Sequence, residues 1–349
     1  MISVNNSLHK VLDVGVDASE RIEGILDDFS LIIPDGMEDV LDDPTGRLGF
    51  ESLLSELCDI LSGRMPDFVS FFLLLFGCAV LVLLVGQLGD GISGATRAGV
   101  SVSVGAVILI RLFPLLTAAA DTVREVGKFF SLLVPVISGG AALGGGAVAA
   151  SSLSGMTLTA SFVGGATSLL FPLVGASMML GVLSSLSSDI AISPLDAMRK
   201  NLVRAFGMIT ALVGGLFSLQ TTVASARDGA TIRALRYAVG NTIPVVGGAV
   251  SGALSTLVGG LGYAMGIIGG GGIAVILSLA LSPILELLLY RLAFFAVGLF
   301  LDLFPATEGT RVITALAGGL DALIGTLALS VAVYMLETVL VMKGVVSFL

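Results

Sequence analysis

Six ionisable side chains sit inside long apolar runs: Arg111, Glu286, Arg291, Asp302, Asp321 and Glu337. A charge near the centre of a bilayer costs on the order of 2.5–3.5 kcal/mol on insertion scales, so such groups face protein or water. Asp302 and Glu337 are expected to avoid that cost by lying near the membrane surfaces. Glu286 is the strongest candidate for ion or proton chemistry, because it follows Pro283 by three residues. Proline offers no N–H to the carbonyl of Leu279, which loosens the helix beside the carboxylate. Glu286 and Arg291 stand about 140° apart round a helix and should not pair with each other. The competing reading makes Glu286 a structural carboxylate bonded to a neighbouring helix.

Enzymatic chemistry finds little to work with. His9 is the only histidine and lies outside the apolar runs. No metal site built on histidine and no serine–histidine dyad can therefore form within them. H-E-x-x-H and the nucleotide-cradling G-x-x-x-x-G-K-[ST] are absent. Gly86-Gln87-Leu88-Gly89-Asp90 lacks the G-x-G-D spacing of intramembrane aspartyl proteases. No catalytic residue, metal or cofactor is expected. Cys58 and Cys78 are too few for a disulfide framework, and Cys78 reads as apolar filler.

The elements that carry these residues divide at Arg64. Residues 1–64 hold 14 Asp/Glu against 4 Lys/Arg, and residues 65–349 hold 12 against 13. The whole net charge of −9 thus belongs to a short N-terminal region, expected to be soluble and helical. The remainder explains a mean hydropathy of +1.04 and a charged content of 12%, about half that of soluble domains. A chain this apolar belongs in lipid. The opening Met1–Lys10 is polar and does not resemble a cleavable signal.

In the N-terminal region, Asp17 can cap a helix with Glu20 three residues on. Ile22, Ile25, Leu26 and Phe29 would share its apolar face until Pro34-Asp35-Gly36. A clearer stripe joins Phe50, Leu53, Leu54, Leu57, Ile60 and Leu61, with Glu51, Glu56 and Asp59 facing away. Acidic faces are repelled by anionic lipid, so protein docking is favoured over membrane surface.

Residues 65–349 read as an all-α polytopic membrane bundle, because the apolar runs have helix length rather than β-barrel alternation. About eight membrane segments are expected: Phe68–Leu88, Ala98–Ala120, Phe129–Ala150, Thr157–Leu186, Ala205–Val223, Tyr237–Gly270, Ile273–Phe304 and Val312–Met342. Basic clusters at Arg199–Arg204 and Arg227–Arg236 flank a single span, so the positive-inside rule does not orient the chain. Many of the 46 glycines lie inside the apolar runs, where small residues let helices touch. The G-x-x-x-G pairs Gly140/Gly144 and Gly248/Gly252, together with Gly262 and Gly266, are the packing candidates.

An internal echo connects two halves, about 98–186 and 205–304. Val134-Pro135-Val136-Ile137-Ser138-Gly139-Gly140-Ala141 recurs as Ile243-Pro244-Val245-Val246-Gly247-Gly248-Ala249. Each copy precedes a Gly-rich run and then a segment holding Pro172 or Pro283. Paired Gly/Pro-interrupted segments point to a binding site between broken helices. Asn241, Pro244 and Glu286 would line that pathway, for a small solute the sequence does not name.

The stretch Ala226-Arg227-Asp228-Gly229-Ala230-Thr231-Ile232-Arg233-Ala234 leads into Tyr237-Ala238-Val239-Gly240-Asn241-Thr242-Ile243-Pro244-Val245-Val246-Gly247-Gly248. After the Gly run follows Pro283-Ile284-Leu285-Glu286-Leu287-Leu288-Leu289-Tyr290-Arg291-Leu292. From about Phe50 to the C-terminus this resembles the stage III sporulation protein AE family, polytopic membrane proteins of endospore formers. Glu286 departs from the basic residue that the resemblance leads one to expect there. The resemblance implies a subunit of a channel-like complex joining mother cell and forespore, supporting forespore development. It implies membrane and soluble subunits of that complex and the lipid bilayer as partners, without nucleic acid. It also implies the mother-cell membrane around the forespore, with the N-terminal region outside the cytoplasm. It supplies no catalytic residues. Two mechanisms stay open: a scaffold packed through its Gly-rich faces, and a permease for a small solute.

Overall fold

A computed structural model of the chain describes residues 50–87, 93–144, 146–183, 247–304 and 308–346, together with Asp27 and isolated positions between 201 and 230. Five long helices account for nearly all of them: α1 Phe50–Gln87, α2 Gly94–Gly144, α3 Gly146–Leu183, α4 Gly247–Leu301 and α5 Glu308–Val346. Each contains a stretch long and apolar enough to cross a membrane. The protein is an all-helical, multi-pass membrane protein. Five such helices stand among the described residues, against the eight segments expected: two pairs of expected segments each lie on one helix, and the fifth, Ala205–Val223, is described only in part and is helical where described.

The second and third expected segments lie on one helix. Nothing in Asp121–Lys128 ends a helix, since Arg, Glu and Lys are good helix formers, and α2 runs straight through them. Hydropathy marks where a chain leaves lipid, which need not be where its helix ends. At a rise of 1.5 Å per residue, the 46-residue apolar stretch Gly94–Gly139 is about 70 Å long, over twice a bilayer's hydrocarbon core of about 30 Å.

The Gly269–Gly272 run likewise does not separate two segments. It lies inside α4, which also continues through Pro283, as α3 does through Pro172. A backbone without water satisfies itself most readily by staying helical. The charge break at Arg64 falls within α1, so the apolar stripe of residues 50–61 continues into the first membrane helix. The expected helix after Asp17, the basic cluster after Arg227 and the Pro244 echo lie outside the described residues.

Residue pairing sets the helix directions. Gly105 and Leu116 of α2 meet Val182 and Gly175 of α3, making the pair antiparallel. Met178 and Gly181 of α3 meet Gly319 and Ala315 of α5, also antiparallel. Gly105 and Gly127 of α2 lie against Val312 and Tyr334 of α5, so these two run parallel. Gly269 of α4 reaches Met342 of α5, and Gly272 reaches Leu133 of α2. Helices α2 and α5 are therefore the central staves, wrapped by α1, α3 and α4, which run the opposite way.

The core between them is filled. Ile108, Phe130, Leu133, Ile137, Met156, Leu316, Leu320, Leu323 and Leu327 are fully buried. Lipid tails are as apolar as these side chains, so van der Waals fit rather than water exclusion holds the staves together. Glycine supplies that fit where a Cβ would collide. At Gly105 it would stand 2.7 Å from both Val182 and Val312.

Candidate functional site

Midway along α2, the apolar surface gives way to charge. Asp121, Arg124, Glu125 and Lys128 are all exposed, and Arg124 donates to Asp121 at 2.9 Å, one turn back. The flanking α3 contains no charged residue. Between the two helices lies a cleft of about 1280 Å³, walled by Phe113, Leu116, Phe171 and Met179. Asp121, Arg124, Lys128, Thr117, Ser131, Thr167 and Ser168 give it a polar side. A cleft that is mostly apolar with a few placed polar groups has the general character of a ligand site.

Tyr334 of α5 also lines this cleft. Its ring packs on Phe130 with centroids 4.8 Å apart. Its hydroxyl lies 3.0 Å from where a Cβ of Gly127 would stand. Glycine at 127 is what lets the phenol seat against the backbone of α2. One turn on, Glu337 is 1% exposed and accepts a 2.6 Å hydrogen bond from the hydroxyl of Thr159 on α3. Its other carboxyl oxygen has no partner among the described residues. Glu337 is thus shielded by protein on all sides, whatever its depth in the bilayer. Helix α5 continues nine residues past it, to Val346, and α3 extends beyond its level on the facing side. Asp302, by contrast, is exposed in the turn that ends α4.

A second polar group joins α1 and α4. Arg64 forms an ion pair with Glu286, nitrogen to oxygen 3.4 Å. Asp67 and Arg111 lie within electrostatic range of the neighbouring Tyr290. Beyond this pair, Phe71 packs on Tyr290 and Phe294 with centroids 4.3 and 5.9 Å apart, and Phe76 on Phe300 at 4.9 Å. The seam runs in register down both chains, so α1 and α4 are parallel. Arg291 turns to α5 instead and forms a two-pronged ion pair with Asp321. Glu286 and Arg291 thus take separate partners, as their angular separation requires, and Glu286 bridges helices as a structural carboxylate would.

The other expected site residues are distributed as follows. Asn241 and Pro244 lie outside the described residues, so no approach of either to Glu286 is described. Gly140, Gly144, Gly248, Gly252 and Gly262 are helical. Gly266 is exposed, and a Cβ there would meet nothing within 4 Å. The packing of the first five lies outside what is described; among the described residues close helix contact occurs at Gly105, Gly127, Gly181, Gly269, Gly272 and Gly319. G-x-x-x-G spacing does not select these positions, because each meets a helix distant in sequence.

Sequence reading passed over Thr159, Tyr334 and the cleft. A signal for Glu337 was present: no basic residue stands three or four positions from it, the nearest on α5 being Lys343. A carboxylate without a partner on its own helix must find one on another.

No solved structure matches this chain. A curated relative, stage III sporulation protein AE of Bacillus subtilis (strain 168), is 24% identical over 234 residues, covering 64% of this chain. The alignment spans 58% of that relative's length. The family described as stage III sporulation protein AE matches residues 39–345. That range takes in all five helices almost whole, and with them the charged face of α2, the cleft and the buried Glu337: the chain belongs to the stage III sporulation protein AE family.

Proposed function

We propose that this sporulation membrane protein is a subunit of a channel-like complex linking mother cell and forespore, where it supports forespore development. Family membership supports the sporulation role, and the charged face of α2 carries the step to a complex. Four charged side chains within eight positions, all exposed, cannot face hydrocarbon. They need a partner protein or a water-filled conduit, and a channel assembled from several subunits provides both. The length of α2 agrees, since its two apolar stretches together exceed one bilayer. The chain acts by assembly rather than catalysis. It sits in the mother-cell membrane around the forespore, with the acidic N-terminal region outside the cytoplasm and docked on soluble subunits.

The test is charge reversal on that face. Replacing Arg124 and Lys128 together by Glu is expected to abolish sporulation and co-purification of partner membrane subunits, with the chain still inserted at its normal level. Normal sporulation and partner recovery would overturn the reading. A stand-alone permease for a small solute is the second reading, favoured by the cleft between α2 and α3, which residues adjoining both partners of the Thr159–Glu337 bond reach.

A further inference from the structure

Glu337 keeps a carboxyl in the protein interior with only half of it bonded. One oxygen accepts from Thr159, and the other has no partner among the described residues. An ionised carboxylate in such a place is costly unless paired. Among the described residues no counter-charge bonds it, and Arg204, on the segment whose Phe206 stacks on Phe162 of α3, is exposed. Helix α3 has no ionisable side chain. On α4, Glu286 is bonded to Arg64, Arg291 to Asp321, and Tyr290 packs on α1. On α2, Arg124 is bonded to Asp121, and Glu125 and Lys128 are exposed. On α5 itself, Tyr334 packs on Phe130 and Lys343 is exposed.

A metal ion fits poorly. Calcium takes about 6–8 oxygens, and the nearby hydroxyls of Ser330 and Thr338 are bonded to the carbonyls of Thr326 and Tyr334. A proton needs one oxygen. Thr159 is also diverted from the habit of its neighbours. Thr157, Thr167, Thr326 and Thr338 each bond the carbonyl four residues back, whereas Thr159 crosses to α5.

Access is built in on both sides. Tyr334, one turn before Glu337 and on the same face, lines the cleft, and so does Ala160, the residue after Thr159. Residues adjoining both partners of the Thr159–Glu337 bond thus reach a cleft whose polar side carries Asp121 and Lys128. We propose that Glu337 is a proton-exchange site, loaded from the cleft between α2 and α3 past Tyr334. This goes beyond the assembly reading and does not depend on it.

Infrared spectroscopy of the full chain in lipid vesicles tests it. At neutral pH, wild-type protein is expected to show the carbonyl band of a neutral carboxylic acid, absent in Glu337→Gln. Transfer to D2O is expected to shift that band within minutes. Absence of any such band would overturn the proton, and a band that keeps its position after overnight exchange would overturn the access route. Thr159→Val retains the carboxyl should Glu337→Gln fail to fold. It is expected to move the band by removing its hydrogen bond, and an unmoved band would overturn the assignment to Glu337.

Discussion

The contact between Gly181 of α3 and Ala315 of α5 isolates what glycine does in this bundle. A Cβ on Gly181 would stand 2.8 Å from the Cβ of Ala315, whereas carbons rest about 3.5–4.0 Å apart. Neither atom belongs to a side chain that can rotate away, so the helices must part by roughly 1 Å. Overpacking of this kind costs about 1–3 kcal/mol. Gly→Ala within a helix returns about 0.5–1 kcal/mol of conformational entropy and propensity. Gly181→Ala is therefore expected to destabilise the fold by about 1 kcal/mol net. Ala315→Gly makes room for the new methyl. The double variant should return close to wild type, with a coupling energy of about 1–3 kcal/mol in the mutant cycle. Gly266→Ala is the control: with nothing within 4 Å, it should be neutral or slightly stabilising. The chain has no tryptophan, so unfolding is best followed by a fluorogenic thiol reagent at half-buried Cys78, with exposed Cys58 replaced by Ser. Equal stability of Gly181→Ala and Gly266→Ala, or failure of Ala315→Gly to rescue, would refute the close-contact argument.

Two further variants address mechanism and sidedness. Glu286→Gln breaks a partly exposed ion pair with Arg64, worth about 0.2–1 kcal/mol, so it should fold. In a scaffold, it and Asn241→Ala should leave sporulation unchanged or lower it together with partner recovery. Lost sporulation with intact recovery, measured side by side, would favour the permease. Ser19→Cys, in a background without Cys58 and Cys78, should react with an impermeant maleimide in intact cells. Protection that ends only on lysis would place the N-terminal region in the cytoplasm.

The helical membrane class was legible in the sequence because it depends on composition and run length alone. Helix number was less so, and α2 shows why. Asp121, Arg124, Glu125 and Lys128 read as a connector between spans, yet the same residues sustain a helix as well as any. The Gly269–Gly272 run misled in the same sense, splitting one helix into two segments. In water four glycines would mark a flexible joint, but here Gly269 and Gly272 are where Met342 and Leu133 press against α4. Which glycines touch a neighbour depends on register between helices far apart in sequence, which local spacing does not encode. Glu337 and Thr159 are separated by 178 positions, and nothing local to either announces the other. The local fact was the carboxylate's isolation on its own helix. In a medium that does not solvate charge, isolation in sequence requires either a distant partner or a proton. Glu337 has half of the first, which is the physical reason to look for the second.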